Sequence, residues 1–377
     1  MSNLLIKINK SLRKLLVKVR LRKYKDAVLE NTKTRPDLRN PIGSELEKKH
    51  VEYWSGLYKN VNLSFIRFYV NASNINDHRY VGEDIYRAII DRILNHPDYA
   101  NFEGNKNYFE RYLDKNLFPK AYLRKDLGSY LDRDYNFISL AEAENLFNNI
   151  KDDFIIKSAE SQGGKSIKLV QYQNRGYVYK DKKVSFHDFN KQYADDYIIQ
   201  EVVRQHDFFS QFHRPSLNTL RIITYRSVND NKIKVLRVYL KMGTDAMNVD
   251  NVAAGGICCF VSLDGKLDDH AIANDSGIFF NHPNSNITFK GLSIPYFNKI
   301  IDVTKKTASR IPSQRIIAFD VALNTKNEVK IIENNFVGAA SAWAQIRRGP
   351  LFGIYTDEVL NYCIKNRHKD DFRVLRV

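Results

Sequence analysis

Apolar and polar positions recur along this chain with two different periods, and the change of period divides it. From Leu4 to Val19 the residues Leu5, Ile8, Leu12, Leu15, Leu16 and Val19 fall at helical spacing, with Lys7, Lys10, Arg13, Lys14 and Lys18 between them. That pattern predicts a basic amphipathic helix. Residues 1–25 contain no Asp or Glu, so the helix suits an anionic membrane interface, with packing against its own protein as the alternative. Between Glu45 and Asn116 the texture stays helical, clearest in Glu83–Leu94 and Tyr108–Leu117, with breaks at His96-Pro97 and Pro119. After about residue 135 the period shortens to that of strands: Phe154–Lys157, Ser166–Tyr172, Tyr177–Lys180, Tyr197–Val203, Leu220–Ser227, Ile233–Met242, Ile257–Leu263, Ile316–Leu323 and Val329–Glu333. Turn chemistry at Asn229-Asp230-Asn231, Asp264-Gly265 and Thr325–Asn327 makes much of this half antiparallel. Helices are expected over Ser139–Asn149 and Tyr296–Arg310.

Composition narrows the classes. A chain of 377 residues with 43% hydrophobic and 12% aromatic residues is globular, with room for two domains or one elaborated domain. Fifty-nine Lys and Arg against forty-three Asp and Glu give a net charge of +16, which favours anionic partners: nucleotides, phosphates, acidic glycans or lipid headgroups. No RNA-binding motif is present, so no specific nucleic acid is expected. Three cysteines without zinc-site spacing fit a reducing cytoplasm. No apolar run approaches the roughly 20 residues of a spanning helix, and the N-terminus lacks the pattern of a cleavable signal.

Three constellations carry chemistry. Centring the last hairpin between Lys326 and Asn327 places Asp320 opposite Glu333. Two like charges about 5 Å apart across a ladder need a cation between them. Asn335 shares the face of Glu333 by strand periodicity, so Asp320, Glu333 and Asn335 form a candidate all-oxygen Mg²⁺ site. A solvated hairpin with incidental acids is the alternative. The second constellation is the strand ending at Lys157 and the loop after it, where Gly163 and Gly164 let backbone amides converge on phosphate oxygens while Ser161, Lys165 and Ser166 add donors. It is not a Walker A loop, because Glu160 stands where the first glycine belongs, and a plain hairpin remains the other reading. Third, Ile198–Val203 has the texture of a hinge strand whose backbone and polar groups, at Gln200, Glu201 and Val203, could read an adenine.

In this order the pieces resemble the ATP-grasp superfamily, and within it the sugar-transfer-associated group found with polysaccharide biosynthesis machinery. The resemblance covers roughly residues 100 to 350. It rests on Ile156-Lys157 with Gly163-Gly164-Lys165, on Ile199-Gln200-Glu201, on Pro215–Thr224 with its Asn218-Thr219-Leu220-Arg221, on Val249-Asp250-Asn251 through Gly255-Gly256-Ile257, and on Phe319-Asp320 with Glu333-Asn334-Asn335. It implies an α+β fold in which two lobes with antiparallel sheets clasp a nucleotide, preceded here by a helical N-terminal region. The corresponding divisions are a basic helix over 1–25, a mainly helical lobe over 26–135, a small lobe with the glycine loop over 136–205 and a large lobe with the metal site over 206–377.

The resemblance further implies ATP and Mg²⁺, with Lys106 and Lys157 as nucleotide lysines and Asp250 and Asn251 ordering the metal or the loop. Two positions depart from the family pattern: Asn105 precedes Lys106 where an aspartate is usual, and Lys241 stands on a strand that usually carries arginine. The activity implied is that of a ligase making a C–N bond through an acyl phosphate, with Lys157 and Arg221 in catalysis. Arg221 is the group expected to fork onto the carboxylate or the acyl phosphate. The partners would be a small-molecule or saccharide acceptor with a carboxylate and an amino acid or amine. The rival readings are an ATP-grasp kinase acting on a sugar or polyol hydroxyl, and a non-catalytic basic protein that binds nucleic acid or membrane. His206 is weighed as a ribose contact against a solvated or core histidine, and Arg347-Arg348 as an anion site against a surface basic pair.

Overall fold

The computed structural model describes residues 12, 15–24, 33, 35–159, 166–194, 196–245, 252, 255–273, 277–339 and 342–367. Two antiparallel sheets dominate. The first has eight strands in the order β3-β2-β1-β8-β4-β5-β6-β7 and is built from β1 (Ala121–Asp126), β2 (Ser129–Leu131), β3 (Phe137–Ile138), β4 (Phe154–Lys157), β5 (Lys168–Gln173), β6 (Gly176–Tyr179), β7 (Lys182–Val184) and β8 (Tyr197–Glu201). Helices Leu140–Asn148 and Phe186–Tyr193 cover one face of it through Ala143, Phe147, Phe186 and Phe189. Both helices start on capping boxes, Ser139 with Glu142 and Ser185 with Asp188, which satisfy the first free amides of each helix.

The second sheet has seven strands in the order β13-β12-β11-β10-β9-β14-β15. Its members are β9 (Thr219–Arg226), β10 (Ile233–Met242), β11 (Ile257–Val261), β12 (Leu267–Ala273), β13 (Ile278–Phe279), β14 (Ile316–Leu323) and β15 (Val329–Asn335). Alternate residues point to opposite faces. One face, with Leu220, Ile222, Val238, Leu240, Ile317 and Phe319, packs against helix Phe297–Ser309. The other, with Ile223, Tyr225, Tyr239, Phe260, Ile316 and Ala318, shares one core with helices of the N-terminal region, through Trp54, Phe65, Tyr69, Tyr80 and Ile90, and with the C-terminal helix Thr356–Lys365.

Three expectations from sequence are corrected here. The helical lobe expected over 26–135 is not a separate body, since its core is continuous with the second sheet. Nor is it helical to residue 135, because β1 and β2 fall within it and belong to the first sheet, whose expected start at 136 was too late. The run Arg124-Lys125-Asp126 hid β1. Arg124 is fully buried, paired with Glu110 and lying 4.4 Å from the centre of the Tyr135 ring, and the β1–β2 turn uses Leu127 and Gly128 at positive φ in place of a recognisable Asn-Gly. Tyr108–Leu117 is a series of turns ending in the short 3-10 helix Lys115–Leu117. Side chains there compete with helix formation: Asn105 accepts from the Asn107 amide, and Asp114 from that of Asn116.

Glu83–Leu94 is one helical stretch, with a π-helical turn over Tyr86–Ile90. At its end Asn95 is buried and accepts from the amides of Arg315 and Ile316 while donating to the carbonyls of Ile316 and Phe336. One carboxamide thereby ties the start of β14 to the chain leaving β15. Replacing Asn95 by Ala strands those backbone groups without water. Asn95→Ala is expected to lower stability by about 3 kcal/mol in urea unfolding.

Candidate functional site

The β14–β15 hairpin does place Asp320 opposite Glu333 and Ala318 opposite Asn335. It reaches that register by a different route from the one expected. Near the turn Leu323 pairs with Val329 and Val321 with Ile331, one residue away from a hairpin centred between Lys326 and Asn327. The register shifts between Asp320 and Val321, leaving Ile332 as the extra residue of a bulge that returns Glu333 to the face of Asp320.

The same transverse row continues across the sheet. Asp320 faces Arg221 on β9, and Arg221 faces Tyr239 on β10. Arg221 donates to Asp320 through Nε (2.6 Å) and Nη2 (3.0 Å), and the Lys241 ammonium lies 3.3 Å from the same carboxylate. The Asp320 side chain is only 6% exposed. Burial alone would raise its pKa, but the charges of Arg221 and Lys241 and their hydrogen bonds outweigh burial and hold the carboxyl below its usual range. Arg221 responds in the opposite sense: burial lowers its pKa, and the Asp320 charge more than restores it.

Lys157 approaches this row from the first sheet and Lys106 from the turns that precede β1. Lys157 ends β4, and the Lys106 amide donates to the carbonyl of Ala159 two residues further on (3.0 Å). The segment before β1 is thus sewn to the end of β4. Asn107 strengthens the seam, its amide nitrogen donating to the Lys125 carbonyl and to Asp196. The Lys106 ammonium lies 3.3 Å from Glu333. Lys157 is buried, and burial together with the Lys106 charge lowers its pKa to about 8, against a smaller raising effect of Glu333. A cavity of about 320 Å³ opens beside Lys106 and Glu333, floored by Asn335, Phe336 and Val337 and walled by Ala100, Asn101 and Gly104 at the end of helix Pro97–Glu103.

The conflict between Asp320 and Glu333 is therefore resolved by protein cations, Arg221 and Lys241 on one carboxylate and Lys106 on the other. Lys241 is the participant that sequence reasoning passed over, because it looked like a departure from a pattern. Asn95 was missed altogether, since Asn-His-Pro reads as a plain helix stop. Among the described residues no group of three or more His, Cys, Asp or Glu is placed to hold a metal ion. The set Asp320, Glu333 and Asn335 is instead two carboxylates and a carboxamide. Asn335 donates its amide nitrogen to the Ala318 carbonyl (3.3 Å), which spends the nitrogen on the strand and leaves the oxygen as its ligating end. An all-oxygen donor set on one face fits Mg²⁺.

At the expected hinge, Gln200 is buried on β8 between β1 and β4, opposite Ala121 and Ile155. Glu201 exchanges hydrogen bonds with Lys120, its carboxylate accepting from the Lys120 amide and its own amide donating to the Lys120 carbonyl. Val203 is half-buried in the stretch leading to the second sheet, which the chain joins where the His206 amide meets the Leu323 carbonyl. His206 caps helix Asp207–Ser210 by accepting from the Phe208 amide. Arg347 and Arg348 are ion-paired with Asp268 and Asp269 on β12. Ser161, Gly163, Gly164, Lys165, Asp250 and Asn251 lie outside the described residues.

Lys106, Lys157 and Lys241 converge on the carboxylates of Asp320 and Glu333 between the two antiparallel sheets, and the chain is of the ATP-grasp class. Within it this chain belongs to the sugar-transfer associated ATP-grasp family, whose model matches residues 91–352. Solved structures similar to the chain include the ATP-grasp ligase PsnB complexed with a minimal precursor (11% identity over 71% of this chain and 63% of that one, TM-score 0.39). Another is the ADP complex of purK, N5-carboxyaminoimidazole ribonucleotide synthetase (14% identity, 61% and 44%, TM-score 0.33). A third is N5-carboxyaminoimidazole synthase from Aspergillus clavatus with ADP and 5-aminoimidazole ribonucleotide (9% identity, 63% and 46%, TM-score 0.35). The match thus spans less than two thirds of each of these proteins. No curated protein matches the chain.

The electrostatics distinguish the two acids. Asp320→Ala leaves Arg221 and Lys241 buried without their anion and should cost about 3–5 kcal/mol in denaturant unfolding of the ligand-free protein. Glu333→Ala, which removes a partly exposed carboxylate with one ion pair, should cost no more than about 1 kcal/mol in the same measurement.

Proposed function

We propose that this protein is an ATP-dependent carboxylate–amine ligase that joins an amino acid or amine to a sugar acid in the assembly of a bacterial polysaccharide such as a capsule. The observation that carries the reading is the row Glu333, Asp320 and Arg221, flanked by Lys106, Lys157 and Lys241, between two sheets of a sugar-transfer associated ATP-grasp protein. The cytoplasm supplies ATP and Mg²⁺ for such a reaction.

The chemistry divides into two displacements. An oxygen of the acceptor carboxylate attacks the γ-phosphorus of ATP and ADP leaves; the amine then attacks the acyl carbon, phosphate leaves with that oxygen, and the amine gives up a proton. Phosphoryl transfer asks the protein for position and countercharge more than for covalent help. Lys106 and Lys157 supply positive charge to the phosphate oxygens. Asp320 occupies the Nε edge of Arg221, so an incoming carboxylate or acyl phosphate meets the remaining Nη1/Nη2 end of the guanidinium, already oriented by the salt bridge. Gln200, Glu201 and Val203 line the stretch assigned to adenine. The loop with Ser161, Gly163, Gly164 and Lys165 is assigned to covering the triphosphate, and Asp250 and Asn251 to ordering that end of the site. Mg²⁺ held by Asp320, Glu333 and Asn335 would supply electrophilic neutralisation of the β and γ phosphates.

Mass spectrometry of uronic acids incubated in pairs with amines, coupled to ADP release, tests the reaction. Carboxylate labelled with ¹⁸O should pass one labelled oxygen to phosphate. Phosphate retained on the product without release would identify a kinase of a hydroxyl group instead. Glu333→Ala should abolish ADP release while the protein keeps its fold, and undiminished turnover would remove the metal assignment.

Lys157 gives the pH dependence its sign. Its ammonium is lost above about pH 8 in the free protein, whereas phosphate binding requires the charged form. ADP affinity should therefore fall as pH rises from 8 towards 10.5, with proton uptake on binding, measured by calorimetry in buffers of different ionisation enthalpy. Lys157→Arg should flatten that pH dependence.

A further inference from the structure

The helix over residues 15–24 does not use the face that its leucine pattern suggests. It is seated on the body through Leu21, which is buried in the core shared with the N-terminal region, through Val17, which packs against that core, and through Tyr24, whose ring lies under the Arg87 guanidinium at 5.5 Å. Leu12, Leu15 and Val19 point elsewhere and are 40%, 59% and 59% exposed. At about 100° per residue Leu15 and Val19 fall on an arc of roughly 40°, on the side of the helix opposite Val17, Leu21 and Tyr24. Exposed Lys18 and Arg22 border the arc on one side and exposed Lys23 on the other.

Scattered exposed leucines are ordinary, but a helix anchored by one face that turns a second apolar stripe outward between rows of cations is not. We infer that this face docks onto an anionic lipid bilayer, with Leu12, Leu15 and Val19 entering the acyl boundary and Lys18, Arg22 and Lys23 at the headgroups. Charge complementarity selects that occupant. The sequence from 1 to 25 adds Lys7, Lys10, Arg13 and Lys14 and no acid, which suits phosphatidylglycerol-like headgroups and repels a second copy of the same segment. Apolar insertion alone or charge alone binds weakly, and the helix offers both together. No helix among the described residues is long and apolar enough to cross a membrane. The ligase would then work at the surface where lipid-linked saccharides are held, although the inference stands on the helix and not on the ligase reading.

Flotation of the full chain with phosphatidylcholine vesicles, with and without phosphatidylglycerol, tests it. Binding should require phosphatidylglycerol and weaken with added salt. The double variant Leu15→Asp/Val19→Asp should lose roughly tenfold or more in partitioning, and Arg22→Glu and Lys23→Glu roughly fivefold or more each. Because these side chains are exposed, the variants should keep the parent's thermal melt and ADP release. Flotation equal for parent and double variant, or absent with phosphatidylglycerol vesicles, would overturn the inference. So would a dimer in sedimentation velocity that the double variant dissolves while neither form floats. A protein that floats but hydrolyses no ATP would refute only the ligase reading.

Discussion

The site depends on one buried carboxylate that stays ionised. Asp320 sits in a strand buried along its whole length, where an isolated charge would be protonated or would unfold the sheet. Arg221 on the neighbouring strand and Lys241 on the next make it tolerable, and in return Asp320 fixes the guanidinium in one orientation. The three groups form a rigid electrostatic unit before any nucleotide arrives. Under the proposed ligase reading, such preorganisation would serve phosphoryl transfer, because no side chain would have to be reoriented against solvent as charge develops.

The surrounding fold delivers this unit to a junction. Lys157 comes from the end of β4 in the other sheet and Lys106 from the turns before β1, and the Lys106 amide on the Ala159 carbonyl ties the two segments together. Burial, with the Lys106 charge adding to it, lowers the Lys157 pKa to about 8. Opposite them, Asn95 clamps the ends of the β14–β15 ribbon. The N-terminal helices lie on the same sheet face as Asp320 and Arg221, and the end of helix Pro97–Glu103 forms the wall of the cavity beside Glu333. The end of the N-terminal helical region thus lines the cavity beside Glu333.

Half-buried arginines elsewhere act as staples, each gathering several backbone carbonyls from segments that are adjacent in space. Arg237 on β10 donates to the carbonyls of Ala344, Arg348, Gly349 and Pro350, and burial lowers its pKa to about 10. Arg226 does the same for carbonyls around Ala308 and Ile311. These two arginines are therefore structural members of the basic set, spent on backbone carbonyls and not on anionic ligands.

Pieces whose signals are local could be read from the residues alone. Alternating apolar residues marked β14 and β15, the Asn-Thr-Lys-Asn turn marked their hairpin, and the order of lysine, loop and paired acids marked the family. Asp320 and Glu333 could be placed face to face because a two-residue period leaves few choices, and the bulge at Ile332 happened to restore the register that the turn had shifted. Only the tertiary structure decided which cations neutralise Asp320, because β9, β10 and β14 become neighbours through pairings distant in sequence. It also decided that Arg124 is buried in a strand and that the N-terminal region completes a shared core. Finally, it decided which side of the first helix faces the protein. Periodicity reports that a helix has an apolar stripe, and only packing decides what that stripe touches.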